Sequence, residues 1–406
     1  MSSSQTGTGT PSPSQPEAPV IQRKKGGRGA LIAVIAVVIV IILVLVVGYS
    51  AGWFKTSTSS TTPSTCTAPS VTPIKGEGST LVAPLMDYWA SVYNGGTQIT
   101  YDAAGSSAGI TAITAKTVDF GASDAPLTPA QRAAAPGVLT IPESAGGVVP
   151  IYNLPGDLSL HFNGSVLAQM FDGTITNWNN TPLQTLNPGV TLPSATIVPV
   201  HRTGGSGTTF AFTTFMSIEN VAWNTSYGKG TAWPSTITVG VGASGNGGEA
   251  TTVATTSDAI GYVDLNYALN AGAAVGIGAV QNPAGNFIKA NITNTESALV
   301  DANPMLPSGL GDWFNVSVEN AKGAHDYPIT TLTYMLVYQN LGAYSSYTIT
   351  NAENMVDFLH WAVTVGQNDS APLYYAPLTQ SIIAHDYTTF ATMTFGTSSI
   401  PVCVPS

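Results

Sequence analysis

Charge is what this 406-residue chain has least of. Asp, Glu, Lys and Arg together make up 8 % of it, against roughly 25 % in ordinary soluble domains. Only twelve residues are basic and twenty-two are acidic, a formal net charge of −10. Such a balance excludes the cationic footprint that binding to nucleic-acid backbones requires. Histidine is scarce too: His161, His201, His325, His360 and His385 show no H-E-x-x-H or other close pairing, so no metal site is expected. A G-x-x-x-x-G-K-[ST] run is missing, which removes the usual basis for nucleotide hydrolysis. No period of 20–50 residues recurs, so a solenoid or propeller is excluded. Disorder throughout is excluded as well, because hydrophobic residues reach 44 % and glycine numbers 42.

The few charges are unevenly placed. Residues 1–29 hold Arg23, Lys24, Lys25 and Arg28 against Glu17 alone, so residues 49–406 carry a net of −13. Between the two lies an apolar run of eighteen residues, Ala30–Val47, with no charge from Arg28 to Lys55. At about 1.5 Å per residue, a helix through residues 30–54 reaches across a hydrocarbon core of about 30 Å. The basic cluster suits the cytoplasmic side, and Tyr49, Trp53 and Phe54 suit the far interface. The run is longer than a signal-peptide core and follows a 29-residue lead, which favours an uncleaved anchor over a cleaved leader. Everything beyond it is then expected outside the cell.

Residues 55–73 are rich in Ser, Thr and Pro and read as an extended, O-glycosylated stalk. Six Asn-x-Ser/Thr sequons, at Asn163, Asn179, Asn224, Asn291, Asn315 and Asn368, fit an exported chain. The only cysteines, Cys66 and Cys403, bracket the ectodomain. They could close one disulfide in an oxidising compartment or remain two free thiols.

Short apolar strands, Gly/Ser turns and helical patterns then alternate. Helices are expected at Leu85–Tyr93, with Pro84 in a first turn, at Gly109–Ala115, Thr209–Met216 and Glu353–Val363. Strands are expected at Ile99–Asp102, Val118–Gly121, Val148–Tyr152, Ile197–Val200 and Leu332–Tyr338. The alternation predicts an α/β fold with largely parallel sheets. About 330 residues without a linker-like break predict two closely packed lobes.

Three loops, Gly76–Thr80, Gly105–Gly109 and Gly204–Thr209, combine Gly with Ser or Thr just before a helical pattern. The first N–H groups of a helix lack intrahelical partners, and its dipole favours negative charge. Glycine lets an anion come close to them and a hydroxyl adds a donor, which makes an anion site. Ordinary capping and turn formation would use the same residues. Neither a dinucleotide fingerprint nor a nucleophile elbow fits these loops: the first lacks its third glycine, and Thr208 stands where the elbow needs Gly. Ser206 and His201 are the only candidates for nucleophilic catalysis, and no carboxylate partner follows from the sequence, so no catalytic residue is assigned.

Three segments carry a resemblance: GEGSTLVAPLMDYWASVY, ITYDAAGSSAGITAITAKTVDFGASDAPLT and VPVHRTGGSGTTFAFTTFMS. With GYVDLNYAL (261–269), YPITTLTYMLVY (327–338) and HWAVTVGQ (360–367), they resemble the phosphate-specific substrate-binding proteins of ABC importers, over roughly residues 74–395. The resemblance implies a bilobal, type II periplasmic-binding-protein fold that clamps phosphate between lobes and delivers it to a permease driven by a cytoplasmic ATPase. It implies no cofactor. Matched by motif, Thr80 and Leu81 supply backbone N–H groups, Thr80 also its hydroxyl, and Ser106 opens the second helix. Asp124 is the buried acceptor, Arg202 the guanidinium, and Ser206, Gly207 and Thr208 the donors of the third helix. Members commonly carry Asp two residues after this arginine. Gly204 stands there instead, so either another acid restrains Arg202 or the empty cleft is more positive.

This residue set suits phosphate. Helix N-termini and one Arg can hold a dehydrated anion without many counter-charges. Near neutral pH phosphate keeps a P–O–H that can donate to ionised Asp124, whereas sulfate would meet it lone pair against lone pair. The expected lobes are residues 74–155 with 328–398, and residues 156–327, followed by a tail at 399–406. Closure about a hinge joins their donors. The alternatives are a phosphate-ester hydrolase in the same cleft, a receptor for arsenate or sulfate, and a phosphate sensor that feeds no importer.

Overall fold

A computed structural model describes residues 72–401 except Asp157 and Asn303. The apolar run at Ala30–Val47, most of the stalk, Cys66 and Cys403 lie outside the described residues. None of the described helices is long and apolar enough to cross a membrane.

Apart from a short hairpin at Thr394–Phe395 and Ser398–Ser399, the described strands are β1 (Ile74–Gly78), β2 (Ile99–Asp102), β3 (Phe120–Ser123), β4 (Val138–Tyr152), β5 (His161–Phe162) and β6 (Val198–Arg202). They continue with β7 (Val241–Ala243), β8 (Ala259–Asp264), β9 (Gly276–Ile277), β10 (Ala279–Gln281), β11 (Phe287–Ile288) and β12 (Thr330–Tyr338). One sheet runs β2-β1-β3-β12-β4 and continues through β4 into β8-β6-β7. The turning point is in β4, which pairs with β12 as far as Gly147 and with β8 from Val148 onward. One 15-residue strand thus belongs to both halves of the molecule. A small β11-β10-β5 sheet flanks the second half, and β9 pairs with the end of β4.

The sheets are mixed, not largely parallel. β1 is parallel to β2 and β3, and β6 to β7 and β8, but β12 is antiparallel to both neighbours and β4 antiparallel to β8. Alternating strands and helices account for the parallel pairs; β12 enters from the far end of the chain and reverses the direction. The length of β4 also exceeds the sequence expectation, which began at Val148. Pro142 and Gly146-Gly147 look like breakers, yet Pro142 sits opposite Tyr334 beside a register shift that leaves Glu143 without a partner residue. A bulge there tolerates the missing N–H.

Helices α1 (Ala83–Val92), α2 (Ser106–Ala115), α3 (Gly207–Glu219), α4 (Gly245–Thr255), α5 (Leu265–Ala271) and α6 (Ile349–Ala362) are the ones the site depends on. Pro84 occupies the first turn of α1, as expected, and the helix buries Ala83, Leu85, Met86 and Trp89. Trp89 meets Trp361 of α6 edge-on at 6.1 Å and donates its indole N–H to the Gly366 carbonyl at 2.8 Å. In the other half, Phe212 of α3 stacks on Tyr262 of β8 at 4.3 Å. Helix α2 presses close to the sheet at Gly109, where a Cβ would stand 2.5 Å from the Glu77 carbonyl oxygen.

Phe120 of β3 is wholly buried between Tyr101, Phe358 and the backbone of Gly76. Phe120→Ala is expected to cost about 3–5 kcal/mol of stability through the cavity it leaves. Urea unfolding should show a lower midpoint at an unchanged slope.

Candidate functional site

Parallel strands aim their carboxyl ends at one edge, and ligand crevices form there. Gly78 ends β1 and leads through Ser79, Thr80 and Leu81 into α1; Ser106 opens α2; Asp124 follows β3. From the other half, Arg202 ends β6, Ser206 is the N-cap of α3, and Gly207 and Thr208 are its first residues. The structure brings all eight expected residues into one buried region: Thr80 is 9 % exposed, Arg202 3 %, and Leu81, Ser106, Asp124, Ser206 and Thr208 at most 1 %. The fit leaves little room. A Cβ at Gly207 would stand 2.5 Å from the Cβ of Asp124.

Hydrogen bonds join the two halves directly. The Arg202 Nη2 donates to Thr80 Oγ1 at 3.2 Å, the Gly207 N–H to Ser106 Oγ at 3.0 Å, and the Ser107 N–H to the Gly205 carbonyl at 3.1 Å. Tyr267 of α5 donates to the Thr80 carbonyl at 2.8 Å. Several expected anion donors are therefore bonded within the protein. The Leu81 N–H, for example, goes to Ser79 Oγ at 2.9 Å, and Ser79 Oγ in turn donates to Asp124 Oδ2 at 2.7 Å. Ser106 Oγ lies 3.4 Å from the same carboxylate oxygen.

Six buried atoms in the region have no partner: Arg202 Nε, Arg202 Nη1 and Asp124 Oδ1, together with Glu143 Oε2, Glu249 Oε2 and Asp264 Oδ2. Buried polar groups are nearly always satisfied, so these mark where a polar ligand fits. The first three combine cationic donors with an anionic acceptor. An oxyanion that also carries a hydroxyl group matches both.

Four groups here went unnoticed in the sequence. Asn246, in the first turn of α4 and wholly buried, donates through Nδ2 to Thr80 Oγ1 at 3.0 Å and to Thr208 Oγ1 at 3.1 Å. Its Oδ1 accepts the Asp264 N–H at 2.9 Å. The signal was present: Ser244-Gly245-Asn246-Gly247-Gly248 has the Gly/Ser character of the other three helix-opening loops. Glu143, Glu249 and Asp264 are the others, all 0 % exposed. Nothing in their sequence context distinguishes them from surface acids.

Burial, opposed by Ser79, Thr333, Arg202 and Ser106, pushes Asp124 up to about 6. It pushes Glu143 and Glu249 up to about 8 against the Thr333 hydroxyl and the Arg202 guanidinium respectively, and Asp264 well above the usual carboxylate range. Arg202 has no carboxylate within ion-pair distance; the ion pairs among the described residues are Arg132–Asp312 and His385–Asp386. At Gly204 a side chain would meet nothing within 4 Å. Of the two possibilities the missing Asp left open, direct pairing with another acid is therefore not realised.

Ser206 and His201 do not form a nucleophile–base pair. Ser206 Oγ accepts the Thr209 N–H at 3.1 Å, while His201 stacks on Trp233 with Nδ1 3.1 Å from the Arg202 carbonyl oxygen. Among the described residues no cluster of His, Cys, Asp or Glu is placed to hold a metal ion. Of the sequons, Asn224, Asn291, Asn315 and Asn368 are exposed, and Asn163 and Asn179 are half-buried. Asn163 caps the helix at Gly164–Phe171 through its side chain.

A two-lobed α/β molecule with buried, unpartnered cationic and anionic groups at its strand ends is the architecture of a solute-binding protein. Residues 60–364 match the family described as the PBP superfamily domain. The chain is 35 % identical to the phosphate-binding protein PstS of Xylella fastidiosa strain 9a5c over 337 residues, 80 % of this chain and 86 % of that one. It is 30 % identical to the phosphate-binding protein PstS of Methanocaldococcus jannaschii over 331 residues, 78 % and 84 % of the two chains. Among solved structures, a human phosphate-binding apolipoprotein superposes with a TM-score of 0.65 at 19 % identity, covering 82 % of this chain and all of the other. The phosphate-binding protein of Stenotrophomonas maltophilia gives 0.59 at 18 % identity, covering 78 % and 93 %. The chain belongs to the PBP superfamily and, within it, to the family of the PstS proteins.

The buried acids make one prediction for the fold itself. Unfolded, these carboxyls ionise near 3.8 or 4.5; folded, Asp124 keeps its proton to about 6, and Glu143 and Glu249 to about 8. Between those values the native state binds more protons than the unfolded one, so stability falls as pH rises from about 4.5 to 8. In buffer free of oxyanions the thermal midpoint should be higher at pH 5 than at pH 8. A higher midpoint at pH 8 would contradict the assignment.

Proposed function

We propose that this chain is an extracellular receptor that binds inorganic phosphate between its lobes and delivers it to an ABC-type importer. One observation carries the reading: the buried, unpartnered Arg202 Nε and Nη1 lie in the same buried region as the unpartnered Asp124 Oδ1. Phosphate supplies both complements, an anionic oxygen for the guanidinium and a P–O–H for the carboxylate. Thr80, Leu81, Ser106, Ser206, Gly207 and Thr208 complete the cradle with N–H and hydroxyl donors at three helix starts. For them to serve, bonds such as Arg202–Thr80 and Gly207–Ser106 exchange for bonds to the ligand. The lobes, residues 74–155 with 328–398 and residues 156–327, close on phosphate because donors from both then engage one ligand.

An uncleaved helix through residues 30–54, with residues 1–29 cytoplasmic and 55–73 as a stalk, would hold the receptor beside the permease and raise its local concentration there. The receptor role needs no catalytic residue and no cofactor.

Competition for labelled phosphate tests the division of labour. Asp124→Asn removes the negative oxygen that repels sulfate, so sulfate should compete far better than with the parent. Arg202→Ala removes a charge-assisted contact worth about 1.5–3 kcal/mol, so phosphate should bind about 10- to 100-fold more weakly. Undiminished rejection of sulfate by Asp124→Asn would overturn the role of that carboxylate.

A further inference from the structure

Glu249 is wholly buried, and its Oε2 has no hydrogen-bond partner. It lies three residues after Asn246, on the same face of α4. Asn246 donates to Thr80 Oγ1, which also receives the Arg202 Nη2, so Glu249 stands one turn behind the cradle. Tyr262 fixes the two charged residues in common. Its N–H donates to Glu249 Oε1 at 3.0 Å, and its hydroxyl oxygen accepts the Arg202 main-chain N–H at 3.3 Å.

The elements packed on α4 are β4, β6, β7, β8 and α5. Their titratable and charged groups are Glu143 and Tyr152 on β4, His201 and Arg202 on β6, Tyr262 and Asp264 on β8, and Tyr267 on α5; β7 has none. Arg202 is the one buried cation among all described residues. An ionised Glu249 would spend that cation's field and set a second negative charge behind a bound anion, in a region water does not reach.

We propose that Glu249 is a positioning residue of the anion site that must be protonated for phosphate to be held tightly, so that capture is linked to proton uptake from solvent at this side chain. This rests on the phosphate-receptor reading above. Burial, opposed by Arg202, pushes Glu249 up to about 8. At pH 6 the side chain is then neutral with or without ligand. At pH 9 roughly one molecule in ten is in the competent form, which weakens the apparent affinity about tenfold. Asp124, Glu143, Asp264 and phosphate itself also titrate, but they do so equally in a variant altered only at position 249.

The test is calorimetric titration of the full chain with inorganic phosphate at pH 6 and pH 9, parent beside Glu249→Gln. Gln keeps an oxygen for the Tyr262 N–H and stays neutral at both pH values. Equal affinities at pH 6 and about tenfold tighter binding by the variant at pH 9 are expected, and Glu249→Met should repeat that ratio. A parent-to-variant ratio unchanged between the two pH values, or a variant weaker at pH 9, overturns the proposal while leaving phosphate binding intact. Absence of phosphate binding by the parent at both pH values overturns the receptor reading itself. The parent alone gives an independent check: titration at pH 9 in two buffers of different ionisation heat should register proton uptake, and none would overturn the role of Glu249.

Discussion

A buried positive charge holds an anion only if its surroundings do not cancel it first. Arg202 is the one buried cation among the described residues, and Asp124, Glu143, Glu249 and Asp264 lie buried in the same region. Fully ionised, that set would be net negative and would repel any oxyanion. Burial resolves the conflict by keeping Glu143, Glu249 and Asp264 protonated well above their usual range, while Asp124, pushed up only to about 6, ionises near neutral pH. The low charge of the whole chain is thus continued inside the region, where most of the polar groups are neutral hydroxyls, amides and helix N-termini.

The architecture serves this arrangement. β4 passes from one sheet to the other, so the strand that carries Glu143 also ties the two lobes together. Contacts across the crevice run between short polar groups: Thr80 with Arg202 and Asn246, Ser106 with Gly207, Ser107 with Gly205. Each is a bond that a ligand oxygen can replace at little cost in packing, as a reversible clamp requires.

Much of this was legible in the sequence. The three Gly/Ser loops named the helix starts, and the motif match placed Asp124 and Arg202, which the fold does bring together. Two kinds of feature escaped. The expected strand began at Val148 whereas β4 begins at Val138, and only the register with β12 reveals the bulge that accommodates Pro142. Glu143, Glu249 and Asp264 were invisible as site residues because burial is a tertiary property; an isolated acid in a strand or helix reads as a solvated one. Asn246 lies between these cases. Its loop carried the right character, but its bonds to Thr80 and Thr208 depend on two distant segments meeting. The anchor and the two cysteines lie outside the described residues and rest on the sequence alone.

The central claim is that one guanidinium and one carboxylate in a closed crevice recognise an oxyanion by its remaining proton. Titrating the intact chain near neutral pH with phosphate and, separately, with sulfate tests it most directly. The account predicts one phosphate bound per chain and no measurable sulfate binding, a contrast that size and charge alone would not produce. Comparable affinity for both anions would contradict it.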